Sequence, residues 1–423
     1  MKNISLLTLI FLMGCGSEQE ELTLQHSPLA STDFEYGNAD LTHFIEVTKD
    51  YDFVGVGEAT HQGSKAYSYK SRMVRALYEE GDLDFVAFEA GLYDGLAAWQ
   101  NFLTGKQDLM DAATGPDANY MYGHRFSQEV AQLFNYVNSQ PITGTSLKII
   151  GYDSRINSDP GCSIMFDELE SYLVANNLDT SNYSTIKSIA PIMMCPWYSN
   201  RKYTSNDHKK LTAQLSNLIQ ALSNQKTLEA VPTYDPKRPR EFRDFASFWL
   251  QVAKSLYAHS HFQIHNLEHS YTDYQSAENI RWLKEEWFDL QGQTFIWAHN
   301  IHAIPVQGSV IEAINQKYPE ETTYSIMQLT YSGHVAANTP NSSRWEIDKE
   351  DYYSERGTLN QNLFLSGYPD TFIDFNSQPS AQRSEIDSPQ YIRYAFGALP
   401  LISPSSIADG VLFIPFEEPA TAR

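Results

Sequence analysis

The sequence predicts an α/β fold: a mostly parallel central sheet flanked by helices, with a helical insertion covering the carboxyl end of the sheet. Three observations predict it. Short runs rich in Val, Ile and Phe recur along the chain, and runs of that length and composition read as buried strands. Segments with helical period join them, and strands separated by helices imply βαβ crossovers and parallel pairing. The span from about 155 to 290 holds no convincing strand, only helical stretches.

The first residues stand apart from the fold. Met1-Lys2-Asn3 carries one cation, and Ile4 to Met13 is mostly apolar but too short to span a bilayer. The run ends in Leu12-Met13-Gly14-Cys15, which resembles the bacterial lipobox. The expectation is a signal peptide over 1–14 and an exported lipoprotein held to the lipid bilayer through acylated Cys15, on the periplasmic or outer face. An ordinary signal peptide is the alternative. Residues 15–33 read as a flexible tether of Ser, Glu, Gln, Thr and Pro. Residues 34–423 then form one α/β domain.

Within that domain the strand-like runs are 52–57, 85–90, 147–153, 294–299, 324–330, 371–375 and 410–415. The helix after His61 shows an apolar stripe of Tyr67, Met73, Val74, Leu77 and Tyr78, with Lys70, Arg72 and Arg75 beside it. Helical stretches near 163–175, 206–224, 240–258 and 271–288 are punctuated by Pro191, Pro196 and the Pro232–Pro239 loop. They read as an insertion forming the wall or lid of a pocket. A separately folding domain is the alternative.

Charge and cysteine usage narrow the function. A net charge of −22 argues against nucleic acid and against electrostatic attraction to anionic lipid. Aromatic residues make up 13% of the chain, with 26 Tyr; sugars or macrocycles would suit such surfaces, and large buried Tyr explains them equally well. With Cys15 acylated, Cys162 and Cys195 remain. In an oxidising compartment they can pair, closing a loop of about 33 residues worth roughly 3 kcal/mol in the chain-entropy view. Two buried free thiols are the alternative. No Cys pair has metal-ligand spacing.

The ends of the strands carry the chemistry. Asp52 to Gly57 runs into Glu58-Ala59-Thr60-His61. Phe85 to Phe88 ends in Glu89, Leu147 to Tyr152 ends in Asp153, and Thr294 to Ala298 ends in His299-Asn300 with His302 beyond. In an open parallel sheet, ligands bind in the crevice beyond the carboxyl ends of the strands. One such acid is explained by helix capping. Carboxylates and histidines at successive strand ends are what an active site requires.

These residues together resemble the erythromycin esterase family. Gly57-Glu58-Ala59-Thr60-His61 is similar to its Gly-Glu-x-x-His signature, and Lys70, Arg72 and Arg75 fall at its basic positions. Phe88-Glu89-Ala90 and Gly151-Tyr152-Asp153 resemble its Leu-Glu-Ala and Gly-Leu-Asp. Asn279-Ile280-Arg281-Trp282-Leu283, Trp297-Ala298-His299-Asn300-Ile301-His302 and Ala408 to Phe413 also fit, in family order. Gln62 departs from it, standing between His61 and Gly63 where the family has His-Gly. A Lys at position 70, where some members carry Arg, alters any bidentate contact.

The resemblance implies hydrolysis of a small-molecule ester or lactone, macrolactones included, by activated water with no metal or other cofactor. His61 suits the general base. Glu58 or Glu89 would orient its ring, and His299 or His302 would hold the water or protonate the leaving alkoxide. Lys70, Arg72 or Arg75 would stabilise the oxyanion, with Asp153 and Asn300 binding substrate; a solvated helix face is the plainer reading of the basic trio. His259, His261, His265 and His269 read as surface or lid residues. No Gly-x-Ser-x-Gly elbow is present, which argues against a serine hydrolase. The alternatives are a metal-dependent hydrolase of the same superfamily, since these ligands suit a divalent metal, and a ChaN-like haem- or ligand-binding lipoprotein.

Overall fold

The computed structural model describes residues 22–114, 127–156, 158–195, 200–337, 346–347, 357–395 and 399–422. Residues 1–21, which include the expected signal peptide, Cys15 and the first part of the expected tether, lie outside them. Eight strands form the central sheet: β1 (Ser27–Pro28), β2 (Phe53–Val56), β3 (Leu83–Gly91), β4 (Lys148–Asp153), β5 (Gln293–Trp297), β6 (Thr323–Gly333), β7 (Thr371–Asp374) and β8 (Gly410–Glu417). Their order is β1-β7-β8-β6-β2-β5-β3-β4. From β8 to β4 every pair is parallel, and only β7 and β1 run against their neighbours. The mostly parallel sheet expected from the sequence is therefore present.

The register explains why the site forms at one end. Val56 lies between Trp297 and Ile326, and Phe88 lies between Trp297 and Gly151. The residues that follow these strands consequently leave the sheet side by side. Every residue of β2 and β5 is buried, as strands covered on both faces must be. The helix α1 (Ser64–Glu80) packs its buried stripe, including Tyr67, Met73, Val74 and Leu77, on this core. A Cβ on Gly57 would run into the Asn300 side chain, so glycine there lets the segment after β5 close over β2.

Helices α2 (Leu92–Leu103) and α3 (Gln128–Ser139) follow β3. Between β4 and β5 the described chain is helical, with α4 (Ile164–Ala175), α5 (Tyr183–Met194), α6 (Ser205–Lys226), α7 (Ala246–Ile264) and α8 (Ser270–Arg281). Two short helices, α9 (Asn300–Ala303) and α10 (Val310–Lys317), follow β5. A disulfide joins Cys162 to Cys195, with Cα atoms 6.2 Å apart. Among the described residues no helix is long and apolar enough to cross a membrane.

Three features differ from the sequence reading. The tether was expected to reach residue 33, yet Leu24 and Leu29 are buried and Ser27–Pro28 pairs with Thr371–Phe372; these leucines bring the segment into the fold. Helix α5 contains Pro191, a residue expected to interrupt helix. It falls in the last turn, so the helix gives up the bond that an N–H at 191 would make to Lys187 O, and it ends three residues later at Met194. Helix α7 starts at Ala246 rather than near 240, because Phe242–Asp244 forms a separate 3-10 turn.

Candidate active site

Glu58 is the organising group. It leaves the end of β2 with its side chain wholly excluded from solvent. One carboxylate oxygen lies 2.5 Å from His61 Nδ1, and the other accepts from Lys70 Nζ at 3.0 Å. Lys70, also wholly buried, donates to Ala298 O at 3.2 Å and lies 4.6 Å from the Trp297 ring centre. Burial lowers the Lys70 pKa against the pull of Glu58. A buried ion pair of this kind costs several kcal/mol per ion to desolvate, so each partner depends on the other.

His61 is the accessible member of the group, with 38% of its side chain exposed. The surrounding protein disfavours its charged form, but the Glu58 hydrogen bond and the charges of Glu89 and Glu58 outweigh this, and the net pKa is raised. With Nδ1–H donated to Glu58, Nε2 is the proton acceptor.

Glu89, at the end of β3, accepts the His299 backbone N–H at 2.7 Å. Its other oxygen lies 3.6 Å from both His302 Nε2 and Arg155 Nη2. His302 is buried, and its Nδ1 lies 2.5 Å from Asp273 Oδ2 on α8. Burial disfavours its charge, yet Asp273 and then Glu89 outweigh burial and raise its pKa. Arg155 bonds Asp153 Oδ2 at 2.9 Å and approaches His302 Nε2 to 3.4 Å. The site thus holds two histidine–carboxylate pairs on either side of Glu89, with Arg155 between Asp153 and Glu89. Glu58, Glu89, Asp153 and Asp273 outnumber Lys70 and Arg155 by two charges, which is the field that favours two protonated histidines.

His299 is different. Its Nδ1 accepts the Ile301 N–H at 3.3 Å, so the ring hydrogen belongs on Nε2, which faces Ala59 O at 3.0 Å. Burial, then the charge of His61, push its pKa down to about 3. Its ring lies edge-on to His61, 5.4 Å between centres. It is a neutral spacer with both nitrogens engaged, which corrects its reading as a proton donor.

Three further expectations need correction. Arg72 and Arg75 do not face the site. Arg72 is wholly buried against Asp40, Ser31 O and Gly37 O, and Arg75 bonds Phe34 O and Tyr36 O. They fasten the N-terminal segment to α1. The Asn300 side chain donates to Gln328 O and Tyr394 O and accepts from Gln328 N, stitching α9 to β6. His259 is buried, with burial lowering its pKa to about 4, so it does not belong to the surface, and the half-buried His269 ring lies 5.2 Å from His302.

Sequence reasoning missed Arg155, Asp273, His269 and Gln328. Arg155 is two residues past a strand-end acid, a position that could have marked it. His269 and Asp273 are four apart at the start of a helix, hence on one face. Gln328 supports the Glu58 loop by accepting Ala59 N–H at 2.6 Å. Gln62, the departure noted above, has φ of 75°, a left-handed conformation that glycine adopts without penalty. Its carbonyl accepts from Ala336 N and Ala420 N.

Two triads have ligand atoms grouped within 4.8 Å: Glu58, His61 and Glu89, and separately His269, Asp273 and His302. Either set has the mixed imidazole and carboxylate character that borderline divalent metals accept. A separate open cavity of 710 Å³ between Leu29–Thr32, Tyr368–Asp370 and Phe416 contains none of the site groups.

The parallel sheet and the strand-end pairing of acids with histidines define a hydrolase-like α/β protein. The chain belongs to the erythromycin esterase family, whose sequence model matches residues 78–407. Bacillus subtilis YbfO, whose name proposes a hydrolase, is 22% identical over 374 residues, covering 80% of this chain and 77% of its own. A succinoglycan biosynthesis protein shares the fold with a TM-score of 0.72 at 17% identity, over 94% of this chain and 96% of that one. A mutant of the erythromycin esterase EreC, in its open conformation, does so with a TM-score of 0.67 at 12% identity, over 95% and 99%.

Proposed function

We propose that this protein hydrolyses a small-molecule ester or lactone with water activated by His61. The observation that carries the reading is Glu58, a wholly buried carboxylate divided between Lys70 and His61, whose side chain is 38% exposed. Lys70 keeps Glu58 ionised. Glu58 fixes the His61 tautomer and favours the imidazolium as it forms. His61 Nε2 takes a proton as water oxygen bonds to the ester carbonyl carbon. Arg155, at the mouth of the carboxylate group with 18% of its side chain exposed, stabilises the oxyanion. On collapse the carbon–alkoxide bond breaks and His302, held protonated by Asp273, gives its proton to the leaving oxygen. Water then returns the proton from His61 to His302.

No step in this cycle calls for a metal. A metal-dependent hydrolase is the second reading, favoured by the Glu58, His61 and Glu89 cluster. Lys70 opposes it by occupying Glu58 at 3.0 Å. We further infer that acylated Cys15 tethers the protein to a membrane. A panel of alkyl esters, aryl esters and lactones, assayed with metal-free protein, tests the reaction. His61→Ala should lose about 10²–10⁴ in rate while the fold persists. Full activity in that variant overturns the assignment, and activity restored only by added metal selects the second reading.

A further inference from the structure

Outside the site, three histidines converge on the surface between α6 and α7. His261 and His265 are four residues apart at the end of α7, with parallel rings 5.8 Å between centres. His208, in the first turn of α6, lies 4.8 Å from His261 and 6.3 Å from His265. Imidazoles bound to one tetrahedral zinc through bonds of about 2 Å have ring centres about 5 Å apart, so small side-chain rotations bring these rings to that spacing.

The surroundings fit such a role. His208 Nδ1 lies 2.9 Å from Ser260 Oγ, which lies 2.5 Å from the Tyr203 hydroxyl. Donation of Nδ1–H to Ser260 fixes the tautomer that presents Nε2 as a ligand, the outer-shell arrangement metal-binding histidines use. His261 Nε2 is buried without a hydrogen-bond partner. His265 is exposed and leaves an entry path. The i,i+4 pair offers two nitrogens from one helix face, and the net charge of −22 draws cations to the protein.

We propose that His208, His261 and His265 form a binding site for a borderline transition dication, of the zinc, nickel or copper(II) class, that staples α6 to α7. Three imidazoles and one open position for water match the ligand preference of those ions. The site shares no residue with the active centre and stands whether or not the esterase reading does.

Zinc chloride titrated calorimetrically into the metal-free full chain tests it. One tight zinc per chain is expected, with a rise in Tm under saturating zinc. His265→Ala, an exposed change that the fold tolerates, and His208→Ala should each weaken binding by about tenfold or more and remove the Tm rise. His269→Ala, in the active-centre triad, should leave this binding unchanged. Absence of binding at about 100 µM zinc, or tight binding that survives His208→Ala/His265→Ala and disappears in His269→Ala, overturns the proposal.

Discussion

Replacing Glu58 by Gln separates what the buried pair does for the fold from what it does for the reaction. Glu58 and Lys70 are both wholly buried at 3.0 Å. Glu58→Gln leaves the Lys70 ammonium without its counter-charge, and breaking one side of a buried pair costs about 3–5 kcal/mol. That is a large share of the roughly 5–15 kcal/mol by which domains are stable. Lys70→Met should cost a similar amount by stranding the carboxylate. The double variant Glu58→Gln/Lys70→Met is neutral and nearly isosteric, so it should recover to within about 1–2 kcal/mol of the wild type. Urea unfolding measures all three. Activity should not follow stability: both variants carrying Glu58→Gln should lose about 10²–10⁴ in hydrolysis rate. The pH profile gives the third reading. The base is neutral His61, so the wild-type rate rises with pH through a pKa held above the ordinary histidine value. Without Glu58 that midpoint should fall. A raised folded value also means that protonated His61 stabilises the fold at pH below its unfolded value of about 6.5, and that this contribution is lost as pH rises through the folded value. A Glu58→Gln protein with unaltered stability and an unmoved pH midpoint would refute the reasoning at both levels.

His299 should stay neutral from pH 5 to pH 9, while His61 and His302 titrate above the ordinary range; nitrogen chemical shifts measured by NMR separate the three. Asp273→Asn should slow alkyl ester hydrolysis by about 10² or more and spare aryl esters, whose leaving groups need no proton; equal losses on both would remove His302 as the acid. Arg72→Ala should cost about 1–3 kcal/mol by removing its hydrogen bonds to half-buried Asp40 and to the Ser31 and Gly37 carbonyls and leave KM unchanged, whereas a raised KM with intact stability would return Arg72 to substrate binding. Reducing the Cys162–Cys195 bridge, which spans 33 residues, should lower stability by about 3 kcal/mol in urea unfolding.

The strand-end groups were legible because a parallel sheet converts sequence position into place: an acid just past an apolar run emerges at the carboxyl end. Glu58, His61, Glu89, Asp153 and His299 follow from that alone. Helix direction divides the basic trio. Lys70 and Arg72 are two apart and cannot face one site, whereas Arg72 and Arg75 share a side, and the structure sends that side to residues 31–40. Asp273 was out of reach for another reason. Its bond to His302 joins groups 29 residues apart on separate elements, and no local pattern encodes that meeting. Strand β1 is two residues long and includes a proline, too little to carry an alternating signal.

The grip of Arg72 and Arg75 on residues 31–40 makes the start of the chain part of the foundation of the site. Within one and a half turns, α1 presents Lys70 to Glu58 on one side and both guanidiniums to the N-terminal segment on the other. Trimming the protein at residue 41 would discard strand β1, Asp40 and the Ser31, Phe34, Tyr36 and Gly37 carbonyls together. Arg72 would then be buried without its acceptors, and Arg75 would keep only Glu79, on the helix whose Lys70 pairs with Glu58. A stretch that resembles a dispensable leader is, mechanically, a wedge behind the helix that carries Lys70 to Glu58.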